Sequence, residues 1–199
     1  MTKIKMCGLR RMEDIDCANR LLPDYIGYVF AEKSRRYIAP EKAAGLTKLL
    51  DKRIIPVGVF VNESVENIVS TVKCGAIKVA QLHGEESEED IKALKSLGIP
   101  VIKAFRINST ADCERAESCC ADFVLLDSGG GSGEVFDWSL ISGIKRKFFL
   151  AGGITPENAA EAIKAFKPYA LDASSCLETD GFKDYDKMAA FAEAVRAVK

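Results

Sequence analysis

Residues 77–105, IKVAQLHGEESEEDIKALKSLGIPVIKAF, decide the fold. They open on an apolar run, IKVAQL over 77–82, of the kind that fills a strand covered on both faces. Ser87-Glu88-Glu89-Asp90 then offers a capped, acidic helix start. Ile91, Leu94 and Leu97 fall on one face of the segment 87–97, with charges on the other. Gly98 and Pro100 close that helix, and a second apolar run, PVIKAF over 100–105, follows at once. A strand, a covering helix and another strand in so short a stretch make a βα unit.

The same alternation extends in both directions. Further strands are expected at 3–7 (KIKMC), 25–30 (YIGYVF), 55–60 (IPVGVF), 123–127 (FVLLD), 147–151 (KFFLA) and 169–173 (YALDA). Thr155-Pro156-Glu157 places an N-cap candidate before proline at the first helical position. A last helix near 185–198 carries Met188, Phe191, Val195 and Val198 on one stripe. No linker, low-complexity tract or compositional shift divides the chain, so residues 1–199 are expected to form a single domain. Eight βα units without a leftover segment predict an α/β protein, a closed (β/α)₈ TIM barrel with short loops, compact for that fold. A doubly wound open sheet would need fewer strands and a glycine-rich nucleotide turn after the first. Cys7-Gly8-Leu9-Arg10 is no such turn.

Composition narrows the function classes. The chain has 199 residues, 28 Lys+Arg against 29 Asp+Glu, a net charge of −1 and 48% hydrophobic residues. This is globular rather than disordered, and it lacks the basic excess of a nucleic-acid or anionic-membrane binder. No apolar run approaches the roughly 18 residues that span a bilayer, and Met1-Thr2-Lys3-Ile4-Lys5 lacks the apolar core of a secretory signal. A cytoplasmic protein is expected. Seven cysteines without a C-x-x-C pair, and a single histidine, argue against a disulfide framework or a zinc site. Most of the cysteines are expected to be small buried hydrophobes.

Barrel chemistry sits at the C-terminal ends of the strands. Those ends carry Cys7, Phe30 followed by Lys33 and Arg35-Arg36, Asn62, Gln81 with His83, Arg106, Asp127, Gly152-Gly153, and Asp172 with Ser174-Ser175. Singly, each has an ordinary reading: Cys7 a core cysteine, Asp127 a cap or turn aspartate, the glycines plain turns, Arg35-Arg36 a solvated loop. Together they form a ring holding a potential base, an acid, an anion binder and two small-residue phosphate cradles. A thiol works as a base only as thiolate, so its pKa must come down from about 8.5. A carboxyl beside the hydrocarbon of 123–126 is pushed towards general-acid territory.

The ordered blocks KIKMCGL, GYVFAEKSRRYIAPEKA, VGVFVNES, VAQLHGEE, VIKAF, LLDS…GGSGEVFDW, LAGGITPENAAEAI and DASS…E/GFKD resemble phosphoribosylanthranilate isomerase. They touch all eight units and span nearly the whole chain. The resemblance implies a (β/α)₈ barrel and an Amadori rearrangement of an aminoaldose to an aminoketose in tryptophan biosynthesis, without metal or other cofactor. It makes Cys7 the base, in the family's K-I-C-G motif, with Met6 for the usual Ile. Asp127 becomes the acid that protonates the ribose ring oxygen. It places Arg36 on the anthranilate carboxylate, with Arg35 as the competing residue, and leaves His83 either at the substrate or in a structural hydrogen bond. Phosphate is expected at the backbone of Gly152-Gly153 and Asp172-Ala173-Ser174-Ser175, with Gly131 and Gly133 in a third donor-rich loop. Two positions depart from the family pattern: Cys176 stands for the Gly after the two serines, and Ala31-Glu32 for an aromatic residue and Pro. The implied partner is the small phosphosugar-anthranilate substrate, with no nucleic acid or membrane, and the chain is a monomer or homodimer.

Two other classes compete. A related isomerase of the histidine pathway would be expected to use carboxylates for both roles, which Cys7 opposes. A non-catalytic binding barrel would need no titratable pair across its mouth.

Overall fold

The structure, a computed structural model, describes residues 1–127, 138–141 and 144–198. Eight parallel strands close into a barrel in sequence order. They are β1 (Lys3–Cys7), β2 (Tyr25–Val29), β3 (Ile55–Phe60), β4 (Val79–Leu82), β5 (Val101–Arg106), β6 (Phe123–Asp127), β7 (Phe148–Ala151) and β8 (Ala170–Ala173). Closure is direct, with Lys5 of β1 opposite Asp172 of β8 and Met6 opposite Ala173. Around them lie α1 (Met12–Leu21), α2 (Pro40–Thr47), α3 (Val65–Lys73), α4 (Glu88–Ser96), α5 (Thr110–Ser118), α6 (Pro156–Phe166) and α7 (Tyr185–Arg196).

The local signals act as chemistry requires. Ser87 Oγ accepts the Asp90 N–H and Asp90 Oδ2 accepts the Ser87 N–H, which satisfies two otherwise orphaned donors at the start of α4. Asn158 Oδ1 does the same for the N–H of Thr155 ahead of α6. Met188, Phe191 and Val195 of α7 are buried against the barrel.

Three features differ from the sequence reading. Between β6 and β7 the described residues hold one 3-10 turn, Trp138–Ile141, where an eighth helix was expected. After β8 the chain makes a second 3-10 turn, Ser175–Leu177, and then a hairpin of β9 (Glu178–Thr179) and β10 (Phe182–Lys183). Asp180 and Gly181 turn that hairpin with φ of 51° and 78°, the left-handed pair that a two-residue connection demands. Lastly, three of the seven free cysteines are buried, not most: Cys7, Cys113 and Cys119. Cys74 is exposed because it follows α3 at its C-terminal end, where its thiol donates to Thr71 O.

Side chains that alternate inward fill the barrel. Tyr25, Phe123, Phe149 and Tyr169 pack ring on ring at the N-terminal end, with the two tyrosine hydroxyls 2.9 Å apart. Val57, Val79, Ile102 and Leu125 stack among them as a dry plug. The filling turns polar only towards the C-terminal end, where Lys5, Gln81 and Asp172 are buried. That change of character places the site.

Candidate active site

Cys7 closes β1 and is buried. It fits because β2 carries Gly27 beside it: a Cβ there would lie 2.6 Å from Cys7 Sγ. Gly8 follows at φ +86°, and a Cβ on it would strike the Arg36 side chain. The two glycines thus admit the thiol and let the arginine lie across the end of β1. Burial pushes the Cys7 thiol above its ordinary value, while the ammonium groups of Lys5 and Lys183 pull the other way.

The groups around Cys7 form one network. Ser174 Oγ donates to Cys7 O at 3.0 Å, and Lys183 Nζ donates to Ser174 O at 2.9 Å and to Glu178 Oε1 at 2.7 Å. Arg36 grips Glu178 with two parallel hydrogen bonds, and Arg35 reaches the same carboxylate at 3.3 Å from a side chain that is 65% exposed. Burial works against the charge on Glu178, yet hydrogen bonds from Arg36 and Lys183 hold its carboxyl down at about 2. Asp172 turns into the barrel rather than towards the loop: its Oδ2 accepts from Lys5 Nζ at 2.5 Å, and Oδ1 has no hydrogen-bond partner among the described residues.

Across the mouth, β4 and β6 supply the second group. His83 Nε2 lies 3.4 Å from Asp127 Oδ2, and Gln81 Nε2 lies 3.1 Å from His83 Nδ1. The Gln81 amide thus meets one ring nitrogen of His83 and Asp127 faces the other. Asp172 feels the charges of Lys5, Asp127 and His83. A cavity of about 810 Å³ opens beside this pair, with His83, Lys103, Arg106 and Asp127 on its wall. Lys103 is occupied by Gly84 O and Glu86, and Asn62 Oδ1 accepts the N–H of Glu85; both brace the loop after β4.

The loops after β7 and β8 present backbone. Gly152 and Gly153 have φ of 78° and 65°, conformations that favour glycine. Among the described residues nothing takes the N–H of Gly153 or of the exposed Ser175. Cys176 is half-buried, and burial lifts its thiol to about 11. Gly131 and Gly133 lie outside the described residues.

Sequence reasoning had given no role to Lys5, Glu178 or Lys183. Glu178 and Lys183 belong to the DASS…E/GFKD block, and Lys5 could have been found from its parity with Cys7: two residues apart on a strand, both face inward.

The chain is similar along its whole length to one family. The sequence profile of the family described as N-(5'phosphoribosyl)anthranilate (PRA) isomerase matches residues 4–194. The N-(5'-phosphoribosyl)anthranilate isomerase of Thermoanaerobacter sp. (strain X514) is 44% identical, with 100% of both chains covered. Among solved structures, phosphoribosyl anthranilate isomerase from Thermotoga maritima superposes with a TM-score of 0.92 at 37% identity, covering 100% of both chains. A phosphoribosyl anthranilate isomerase in complex with reduced 1-(o-carboxyphenylamino)-1-deoxyribulose 5-phosphate gives 0.90 at 36%, again over 100% of both chains. With a barrel, a mouth and a full-length match all in accord, the chain belongs to the N-(5'-phosphoribosyl)anthranilate isomerase family.

Proposed function

We propose that Cys7 and Asp127 divide between them the isomerisation of N-(5'-phosphoribosyl)anthranilate, the step of tryptophan biosynthesis that family membership assigns to this chain. The observation that carries the division of roles is placement. Cys7 ends β1 and Asp127 ends β6, three strands away round the closed barrel, and both border the polar mouth. A ribose lying over that mouth meets a thiol on one side and a carboxyl on the other.

The protonated Asp127 gives its proton to the ring oxygen, and the C1'–O4' bond opens as the anthranilate nitrogen lone pair forms an iminium at C1'. The Cys7 thiolate removes the C2' proton, and those electrons form the C1'=C2' bond of an enolamine and neutralise the nitrogen. Tautomerisation adds a proton at C1' and releases the O2' proton, giving the ketone. In the balance the proton that Cys7 takes from C2' goes on to C1', and the proton released from O2' restores Asp127, so both groups end as they began. The substrate's own nitrogen serves as the electron sink. His83, facing Asp127, orients that carboxyl and borders the sugar.

Arg36 receives the anthranilate carboxylate, and the backbone N–H groups of Gly153 and Ser175 receive the phosphate, helped by the open φ of Gly152 and Gly153. Asp172 supports the site through its charge. The free thiols suit a reducing cytoplasm, and no helix among the described residues is long and apolar enough to cross a membrane. The Thermotoga maritima relative is described as dimeric; a homodimer is the natural assembly to test by light scattering.

Turnover of the substrate by Cys7→Ala and Asp127→Asn tests the roles. Each should lose about 10²–10⁴-fold in kcat with circular dichroism unchanged. Near-full activity in either folded variant removes that residue from the mechanism.

A further inference from the structure

We propose that Lys5 is the positioning residue of this active site, a buried ammonium that stabilises the Cys7 thiolate and whose availability to it is set by Asp172. The inference rests on the reading of Cys7 as the base, and it concerns how that base becomes ionised.

Three observations carry it. Lys5 is fully buried, at 0% exposure, in a barrel interior whose polar end it shares with Gln81 and Asp172. A lysine is rarely placed so, because removing its charge from water is costly unless a partner or a task answers it. Its i,i+2 relation to Cys7 on β1 puts both side chains on the inner face, one layer apart, and the Lys5 charge acts on the Cys7 thiol as well as on Asp172. Finally, the ion pair with Asp172 is lopsided. Lys5 Nζ has three N–H donors and gives one to Asp172 Oδ2, while Asp172 Oδ1 is left without a partner among the described residues. A pair built only for stability would satisfy both oxygens.

The other charged groups near Cys7 have partners or effects of their own. From β10, Lys183 gives two of its three donors to Ser174 O and Glu178. From the loop after β2, Arg36 is held by Glu178. From β8, Asp172 opposes the thiolate, and Asp172 in turn feels His83 and Asp127. Lys5 lies with Cys7 on the inner face of β1, and its hydrogen bond to Asp172 uses one of three donors. When the Cys7 thiol loses its proton to water, Lys5 turns its remaining N–H groups to the sulfur, and the negative charge is shared between sulfur and Asp172 around one ammonium. Asp172 also keeps Lys5 protonated, so the cation is present before the thiolate forms.

The pH dependence of Cys7 alkylation by iodoacetamide, followed on the Cys7 peptide by mass spectrometry, reads the thiolate directly and without turnover. Lys5→Met should raise the midpoint by about 1–2 pH units, which is tenfold or more in alkylation rate at a fixed pH below it. Asp172→Asn should lower the midpoint, because Lys5 then serves the sulfur alone. The alkaline shift of kcat/KM should follow in Lys5→Met. Because Lys5→Met strands a buried carboxylate, the double variant Lys5→Met/Asp172→Leu guards against misfolding; it should keep the circular dichroism of the wild type and show a midpoint clearly above that of Asp172→Leu alone. A folded double variant with the midpoint of Asp172→Leu alone, or an unmoved midpoint in Asp172→Asn, would overturn the inference and leave Lys5 a mere counter-ion. If the midpoints move as expected but Cys7→Ala keeps turnover, the base assignment falls while the Lys5–Cys7 coupling stands.

Discussion

Arg36 lays one edge of its guanidinium against the carboxylate of Glu178, Nε at 2.6 Å from Oε1 and Nη2 at 2.8 Å from Oε2. Arg36 is thereby fixed across the end of β1, close over Gly8, before any substrate arrives. Among the described residues its Nη1 group makes no hydrogen bond. The carboxylate of anthranilate therefore meets a rigid, half-used guanidinium, a preorganised donor rather than a mobile one.

Arg36→Ala should raise KM by about 10–100-fold, the range of one charged hydrogen-bonding contact, and leave kcat within a few-fold. Arg35→Ala should change little, since that side chain is mostly exposed and reaches Glu178 only at 3.3 Å. Steady-state kinetics on both variants checks this. Reversed phenotypes would move the carboxylate contact to Arg35.

Glu178 links the same network to stability. Its carboxyl is held at about 2, below the ordinary 4.5, so the folded state favours the charged form. The stabilisation is complete above the ordinary value and disappears as pH falls from there through about 2. Thermal melts of the wild type should therefore lose stability across that window. Glu178→Gln should start lower and lose less over the same range, and parallel melting curves for the two proteins would refute the assignment.

Much of this was legible in the sequence because it is local. The apolar run 3–7, the Ser87…Asp90 cap and the Met188/Phe191/Val195 stripe each fix an element through neighbours a few residues away, and all appear where expected. The ring of strand-end residues was legible too, since a closed barrel brings every strand end to one rim. What escaped is non-local. Lys5 meets Asp172 across 167 residues, and Arg36 meets Glu178 across 142; neither pairing leaves a periodic or spacing signal. Asp172 shows the consequence. As a residue of the loop after β8 it reads as a phosphate neighbour, but the register opposite Lys5 turns its carboxylate inward. The Asp180-Gly181 turn is different: its hairpin signal was present and local, and lay hidden in a tail read only as a motif.

Cys7 makes the rate depend on pH. Burial lifts the resting thiol above its ordinary value, so the protonated, inactive form prevails at neutral pH and the thiolate grows as pH rises. The logarithm of kcat/KM should climb with a slope near one through neutrality and level off on the alkaline side. A flat profile across that range, with the protein folded throughout, would mean that a group other than the Cys7 thiolate removes the C2' proton.

Phosphate binding gives the last test. Gly153 has φ +65°, and a Cβ built on it would meet nothing within 4 Å. The glycine is thus needed for its backbone conformation and not for want of room. A β-branched residue at that φ is strained, and the loop relaxes by turning its N–H away from the anion. Gly153→Val should raise KM strongly, and Gly153→Ala less, on protein shown to be folded. Inorganic phosphate should compete with substrate in the wild type and compete less well in Gly153→Val. Cys176→Gly restores the residue usual in the family beside Ser175 and should keep or improve substrate affinity. An unchanged KM in Gly153→Val would mean that the phosphate lies elsewhere. Crystals showing sulfate only beside Lys33, Arg35 and Arg36 would place it at the other end of the mouth and reverse the substrate.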